Sequence, residues 1–131
     1  MRISEAADLL GVSDDTVRRW VEAGLLAATT DDSGRSVIDG AELAARAVKL
    51  AAAPADPGAG TSSARNRFVG LVTSITMDLV MAQVEMQCGP HRVVALMSSE
   101  AVRDLGLVVG SPAVAIVKAT NVVIETAYGS R

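Results

Sequence analysis

The spacing of apolar positions changes once along the chain. In residues 1–50 they recur every three or four: Ala6, Ala7, Leu9 and Leu10 in a first run, then Val17, Trp20 and Val21 in a second. That period is helical. Ser4 is placed to cap the first helix, and Gly11 to stop it in the left-handed conformation. Ser13 caps the second, Asp14 and Asp15 sit in its positive first turn, and Gly24 ends it. From Phe68 onward the pattern becomes short runs rich in Val and Ile: FVGLVTSI, VMAQVEMQ, RVVALMS, AVAIVKA and NVVIETA. These predict five strands, with Gly89-Pro90 turning the second into the third. Between the third and fourth, SSEAVRDLGLVVGS predicts a short helix capped by Ser98 or Ser99, with Val102 and Leu105 inward and Gly106 as its stop.

The two patterns are separated by AAAPADPGAGTSS, residues 51–63, whose small residues, prolines and glycines have nothing to bury. The expected organisation is a domain over 1–50, a flexible linker over 51–62 and a second domain over 63–131. Two short helices joined by a Gly-Val-Ser turn match a helix-turn-helix, whose second helix enters the DNA major groove. Five strands with one short helix between the third and fourth match the OB-fold barrel. The fold class is therefore α+β with two domains.

Composition narrows the chemistry. The chain has 131 residues, 50% of them hydrophobic, but only one Phe, one Tyr and one Trp. Its cores must be built from Ala, Val, Leu and Ile, and stacking of several bases on aromatic platforms is excluded. One cysteine, Cys88, and one histidine, His91, give no internal disulfide and too few ligands for a usual zinc site. With no Gly-rich phosphate loop and no nucleophile constellation, no enzyme is expected. Met77, Met81, Met86 and Met97 are read as packing. No apolar run reaches the roughly 20 residues of a membrane span, and no signal-peptide pattern opens the chain, so the expectation is a cytoplasmic protein with no membrane partner. Residues 1–50 carry six basic and nine acidic side chains, whereas residues 62–131 carry six basic and five acidic.

The string ISEAADLLGVSDDTVRRWVEAGLL, with its Thr-Val-Arg-Arg-Trp core, resembles the helix-turn-helix of the excisionase and MerR-type winged-helix family. AATTDDSGRSVIDGAELAARA has the form of the wing that follows: a strand, a turn at Asp31 to Gly34, Arg35, a strand through Val37 and Ile38, and a helix from Asp39. The resemblance implies double-stranded DNA as a partner. Thr16, Arg18 and Arg19 would then face bases and phosphates, and Arg35 would touch the backbone. On the bland alternative these arginines are a solvated helix face, and the acidic balance of this half opposes non-specific affinity.

SARNRFVGLV, MSSEAVRDLGLVVGS and AIVKATNVVIET resemble, in order and spacing, the three motifs of the Mop family, the TOBE-type molybdate-binding domain of molbindins. The resemblance implies molybdate or tungstate as ligand, with no covalent cofactor and no metal site beyond the oxyanion. It places the anion between subunits of a homo-oligomer, a hexamer before a dimer, held by Ser63, Arg65, Ser98, Lys118 and Ala119. Ser98 replaces the usual Thr and keeps its hydroxyl, whereas Ala101 stands where a second hydroxyl is common. A tetrahedral dianion needs charge and directed donors around it, which these side chains supply. Asn66 is expected to fix backbone at the strand entry. The implied function is a molybdate-responsive transcriptional regulator; the alternative is a molbindin that stores or buffers molybdate without sequence-specific DNA binding.

Overall fold

Helix α1 (Ile3–Leu10) starts before the serine expected to cap it. Ser4 lies inside the helix, and the N-cap position belongs to Arg2, which makes no side-chain cap bond. The cause is the chain's own first residue. The Met1 amine donates to the Ile38 carbonyl at 2.7 Å and the Ile38 N–H donates to the Met1 carbonyl at 2.6 Å, so the backbone is already fixed when it reaches Ile3. Gly11 stops the helix as expected, at φ 67°. Helix α2 (Asp14–Glu22) is capped by the Ser13 hydroxyl, which accepts the Thr16 N–H at 3.1 Å.

A two-stranded antiparallel hairpin follows, β1 (Ala28–Thr30) and β2 (Ser36–Ile38), with Ala28 opposite Ile38. Its turn is held by the Asp31 carboxylate, which accepts the N–H groups of Ser33 and Arg35 at 2.9 Å each. Helix α3 (Gly40–Leu50) is capped by Asp39, and its Glu42 reaches back to accept the Ala27 N–H at 3.0 Å. Ala6, Ala7, Val17, Leu26, Ile38 and Leu43 form the core of this first unit, with Trp20 half-buried against it.

The structure is a computed structural model that describes residues 1–51 and 55–127, in two compact units, Met1–Ala52 and Ala53–Arg131. In the second, β3 (Asn66–Met77), β4 (Met81–Cys88), β5 (His91–Ser98) and β6 (Pro112–Val117) form one antiparallel sheet in the order β5-β4-β3-β6. Strand β3 serves both halves of it: residues 66–71 pair with β6 and residues 71–77 with β4, with an irregularity between Val72 and Ser74 that bends the strand. A side chain at Gly70 would fall on the Gln87 carbonyl, so glycine there lets the two strands cross closely. Helix α4 (Ser99–Leu105) packs Val102 onto the core of Val72, Ala82, Val84, Met86 and Cys88.

Two expectations fail here. Among the described residues the sheet has four strands, not five: residues 119–121 make a single 3₁₀ turn, residues 122–126 join no sheet, and Val123 and Ile124 are 84% and 86% exposed. Strand β3 already holds β4 on one side and β6 on the other, so the apolar run NVVIETA has no place beside it, and among the described residues it adds no strand to the sheet's outer edges. Between β5 and β6 the curled sheet stays open around a largely apolar cavity of about 530 Å³. Leu105, expected inward, is 66% exposed. Gly106, in the left-handed conformation, turns the chain so that the Leu107 N–H reaches the Val102 carbonyl at 3.1 Å and Leu107 packs on the core in its place.

Part of the expected linker has structure of its own. Asp56 is paired with Arg67 of β3, and the Thr61 hydroxyl donates to the Gly58 carbonyl at 2.6 Å. Residues 52–54 of that linker, and residues 128–131 at the end of the expected second domain, lie outside the described residues.

Candidate oxyanion site and nucleic-acid face

Arg65 directly precedes β3 and Lys118 directly follows β6. Asn66 pairs with Val117 at the last step of the ladder, so Arg65 and Lys118, one residue beyond it on either strand, bring two cations to one end of the sheet. The Asn66 side-chain amide donates to the Val117 carbonyl at 3.0 Å and locks that end, the backbone role expected of it. Lys118 caps the 3₁₀ turn Ala119–Asn121, and its carbonyl accepts the Asn121 N–H at 2.9 Å. Ser63, Arg65, Lys118 and Ala119 are all exposed. Among the described residues no carboxylate forms an ion pair with Arg65 or Lys118, so both charges are available to an anion.

Ser98 stands elsewhere. It ends β5 opposite Met81, and Ala82 faces Met77, so it belongs to the opposite end of β3. That strand has 12 residues, a contour of roughly 36 Å between its ends. One chain therefore gathers four of the five expected anion contacts at one end of the sheet and leaves the fifth at the other. The Ser98 hydroxyl accepts the Ala101 N–H at 3.0 Å, a cap that uses a lone pair and leaves the hydroxyl proton to donate outward.

Two structural residues carry no signal in the motifs. Ser99 is fully buried; its hydroxyl donates to the Asp78 carbonyl and its N–H to the Val80 carbonyl, each at 2.8 Å, which ties α4 to the β3–β4 turn. The adjacent serines of MSSE thus split between a cap and a core position, a distinction that spacing alone does not make. Arg67 donates to both oxygens of Asp56, at 2.7 and 3.2 Å, so its charge is spent within the fold. This bidentate pairing, with the Gly58 N–H second, holds the Asp56 carboxyl below the usual range and raises Arg67. The backbone N–H groups of Met81 and Val80 likewise hold Asp78 low. Among the described residues no group of three or more His, Cys, Asp or Glu is placed to hold a metal ion, and no helix is long and apolar enough to cross a membrane.

In the first unit the four expected DNA contacts fall into two pairs. Thr16 and Arg19 are joined, the guanidinium donating to the threonine hydroxyl at 3.1 Å, and that hydroxyl also meets Ser13 at 3.0 Å. Arg18 and Arg35 line a single concavity between α2 and the hairpin. Trp20, half-buried, carries Arg46 over its ring at 5.2 Å.

Residues 62–124 match the TOBE domain, and residues 2–37, spanning both short helices and reaching into β2, match the MerR family regulatory protein. Molybdenum-pterin-binding protein 3 of Clostridium pasteurianum is 35% identical over 63 residues, which cover 47% of this chain and 93% of that protein. The chain belongs to the TOBE-domain family. Its TOBE segment is also similar to molybdenum transport protein ModE of Herbaspirillum seropedicae, 37% identical over 68 residues, 51% of this chain and 25% of that protein. This chain thus spans about a quarter of ModE. Among solved structures, a molybdate-binding protein from Sporomusa ovata is 34% identical with a TM-score of 0.48, covering 50% of this chain and 97% of that one. Neither matched family is a catalytic one.

Proposed function

We propose that this chain is a cytoplasmic, molybdate-responsive DNA-binding regulator: the TOBE segment takes up molybdate or tungstate, and the MerR-type segment binds double-stranded DNA. The observation that carries this reading is the joining, in one chain, of a MerR-type segment to a TOBE segment whose relatives are named for molybdenum. Arg65 and Lys118 supply charge to the anion, and Ser63 and the backbone at Ala119 supply directed donors. Ser98 of another copy completes the set, because within one chain it lies at the far end of β3. The working form is therefore a homo-oligomer, a hexamer before a dimer, and its assembly covers the exposed Val122, Val123 and Ile124. Occupancy controls DNA binding by favouring one assembly over another, since a ligand shifts an equilibrium only through its differential affinity.

The test is titration of the chain with molybdate, tungstate and sulfate while mass is followed by native mass spectrometry. Molybdate and tungstate should bind at a fixed ratio to an oligomer and sulfate much more weakly, because the smaller ion leaves the donors too far apart. Equal uptake of sulfate, or a monomer under all conditions, rejects the proposal. Storage without sequence-specific DNA binding is the second reading, favoured by the six basic against nine acidic residues of segment 1–50. Recovery of no particular sequence from a random duplex pool, with and without molybdate, would decide for it.

A further inference from the structure

We infer that Arg2, Arg18 and Arg35 form one seat for a single phosphodiester of a DNA backbone, with Arg2, outside the expected contact set, as its anchor. The inference rests on the DNA-binding reading above and adds to it which atoms of DNA this face takes and how many. The three arginines come from three places, the residue before α1, the middle of α2 and the residue before β2, yet all line one concavity of about 350 Å³. Ser4, Ser36 and Asp14 line it too. Three guanidinium groups against one carboxylate leave it cationic inside a unit whose total is acidic. That inversion is local and therefore marks a place rather than a composition.

The surroundings fit a tetrahedral monoanion. Among the described residues the side chains of Arg2 and Arg35 make no ion pair, and Arg18 is held only by an exposed contact to Asp15 at 3.3 Å, the kind worth little in water. All three forks are thus available for charge-assisted bonds. Arg2 is positioned firmly from behind: its backbone bridges to Val37 and its carbonyl accepts the Ala6 N–H at 3.0 Å. Arg35 is fixed by the Asp31 turn. No base edge is needed by this arrangement; it sets register on the duplex and leaves sequence reading to Thr16 and Arg19.

The test is binding of the full chain to a random-sequence DNA duplex by fluorescence anisotropy across a salt series. Arg2→Gln should weaken binding several-fold with an unchanged melting temperature, whereas Arg2→Lys should retain most of it. Ser36→Asp, which adds a carboxylate at the rim of the seat without touching an arginine, should weaken binding as well. Because one phosphate is shared, replacing Arg2, Arg18 and Arg35 together by Gln should lower the salt slope by about 0.9, the contribution of one phosphate, and not by about 2.7, that of three. Wild-type affinity in both Arg2→Gln and Ser36→Asp, or a slope change in the triple variant matching two or three phosphates, overturns the shared seat and leaves the DNA reading standing. A wild-type chain that binds no duplex even at low salt overturns the DNA reading itself.

Discussion

Arg65 and Lys118 are placed by a single register, Asn66 opposite Val117, which sets both cations at one end of the sheet. Replacing either by Ala should weaken molybdate binding by roughly 1.5–3 kcal/mol, the scale of a hydrogen bond to a charged group, as read by calorimetry. Unchanged affinity in both variants would remove them from the site. Ser99 makes the opposite case, a residue important to the fold and absent from the ligand argument. Ser99→Ala leaves the Asp78 carbonyl without its partner in a buried setting and should cost about 1–3 kcal/mol in denaturant unfolding. The neighbouring Ser98→Ala removes an exposed cap and should cost ~1 kcal/mol. A larger loss at Ser98 than at Ser99 would contradict this assignment of the two hydroxyls.

Elements were legible in the sequence wherever a local signal determined them. Gly11 and Gly106 stop helices in the left-handed conformation, Ser13, Asp39 and Ser98 cap them, and Gly89-Pro90 turns a tight hairpin with Cys88 opposite His91. What was not legible depends on distant chain. Ser4 lost its cap role to a backbone exchange between Met1 and Ile38, and NVVIETA has strand composition but, among the described residues, joins no strand of the sheet. The anion motifs show the same division: sequence order brings their residues onto one list, and the sheet separates Ser98 from the others. Gly70 tests the close crossing of β3 and β4. Gly70→Ala should destabilise at the upper end of ~1–3 kcal/mol, because the obstructing Gln87 carbonyl is backbone and cannot move aside. Gly40→Ala, at the start of α3 with only the Met1 side chain at 3.8 Å, is the control and should be neutral or stabilising. Equal losses at both positions would show that side-chain room at the crossing does not matter.

At the scale of the whole molecule, acid is the solvent condition to which the second unit should respond. Asp56 and Asp78 both titrate below an ordinary aspartate, so the stability they contribute is complete above the ordinary value and is lost as pH falls through the depressed ones. Thermal midpoints should be flat in this respect between pH 7 and 5 and should fall below about pH 4, less steeply in Asp56→Asn. A profile for Asp56→Asn that parallels the wild type would rule out the Arg67 pair as a source. The doubly shared strand β3 also sets an order of events in time. The β4–β5 hairpin closes over two residues, whereas Asn66 must find Val117 across 51 positions, and long closures carry the greater entropy cost. The end of the sheet that bears Arg65 and Lys118 should then be the last part of the second unit to form. Bound molybdate would act on a contact absent from the transition state, so it should slow unfolding in stopped-flow traces and leave the refolding rate almost untouched.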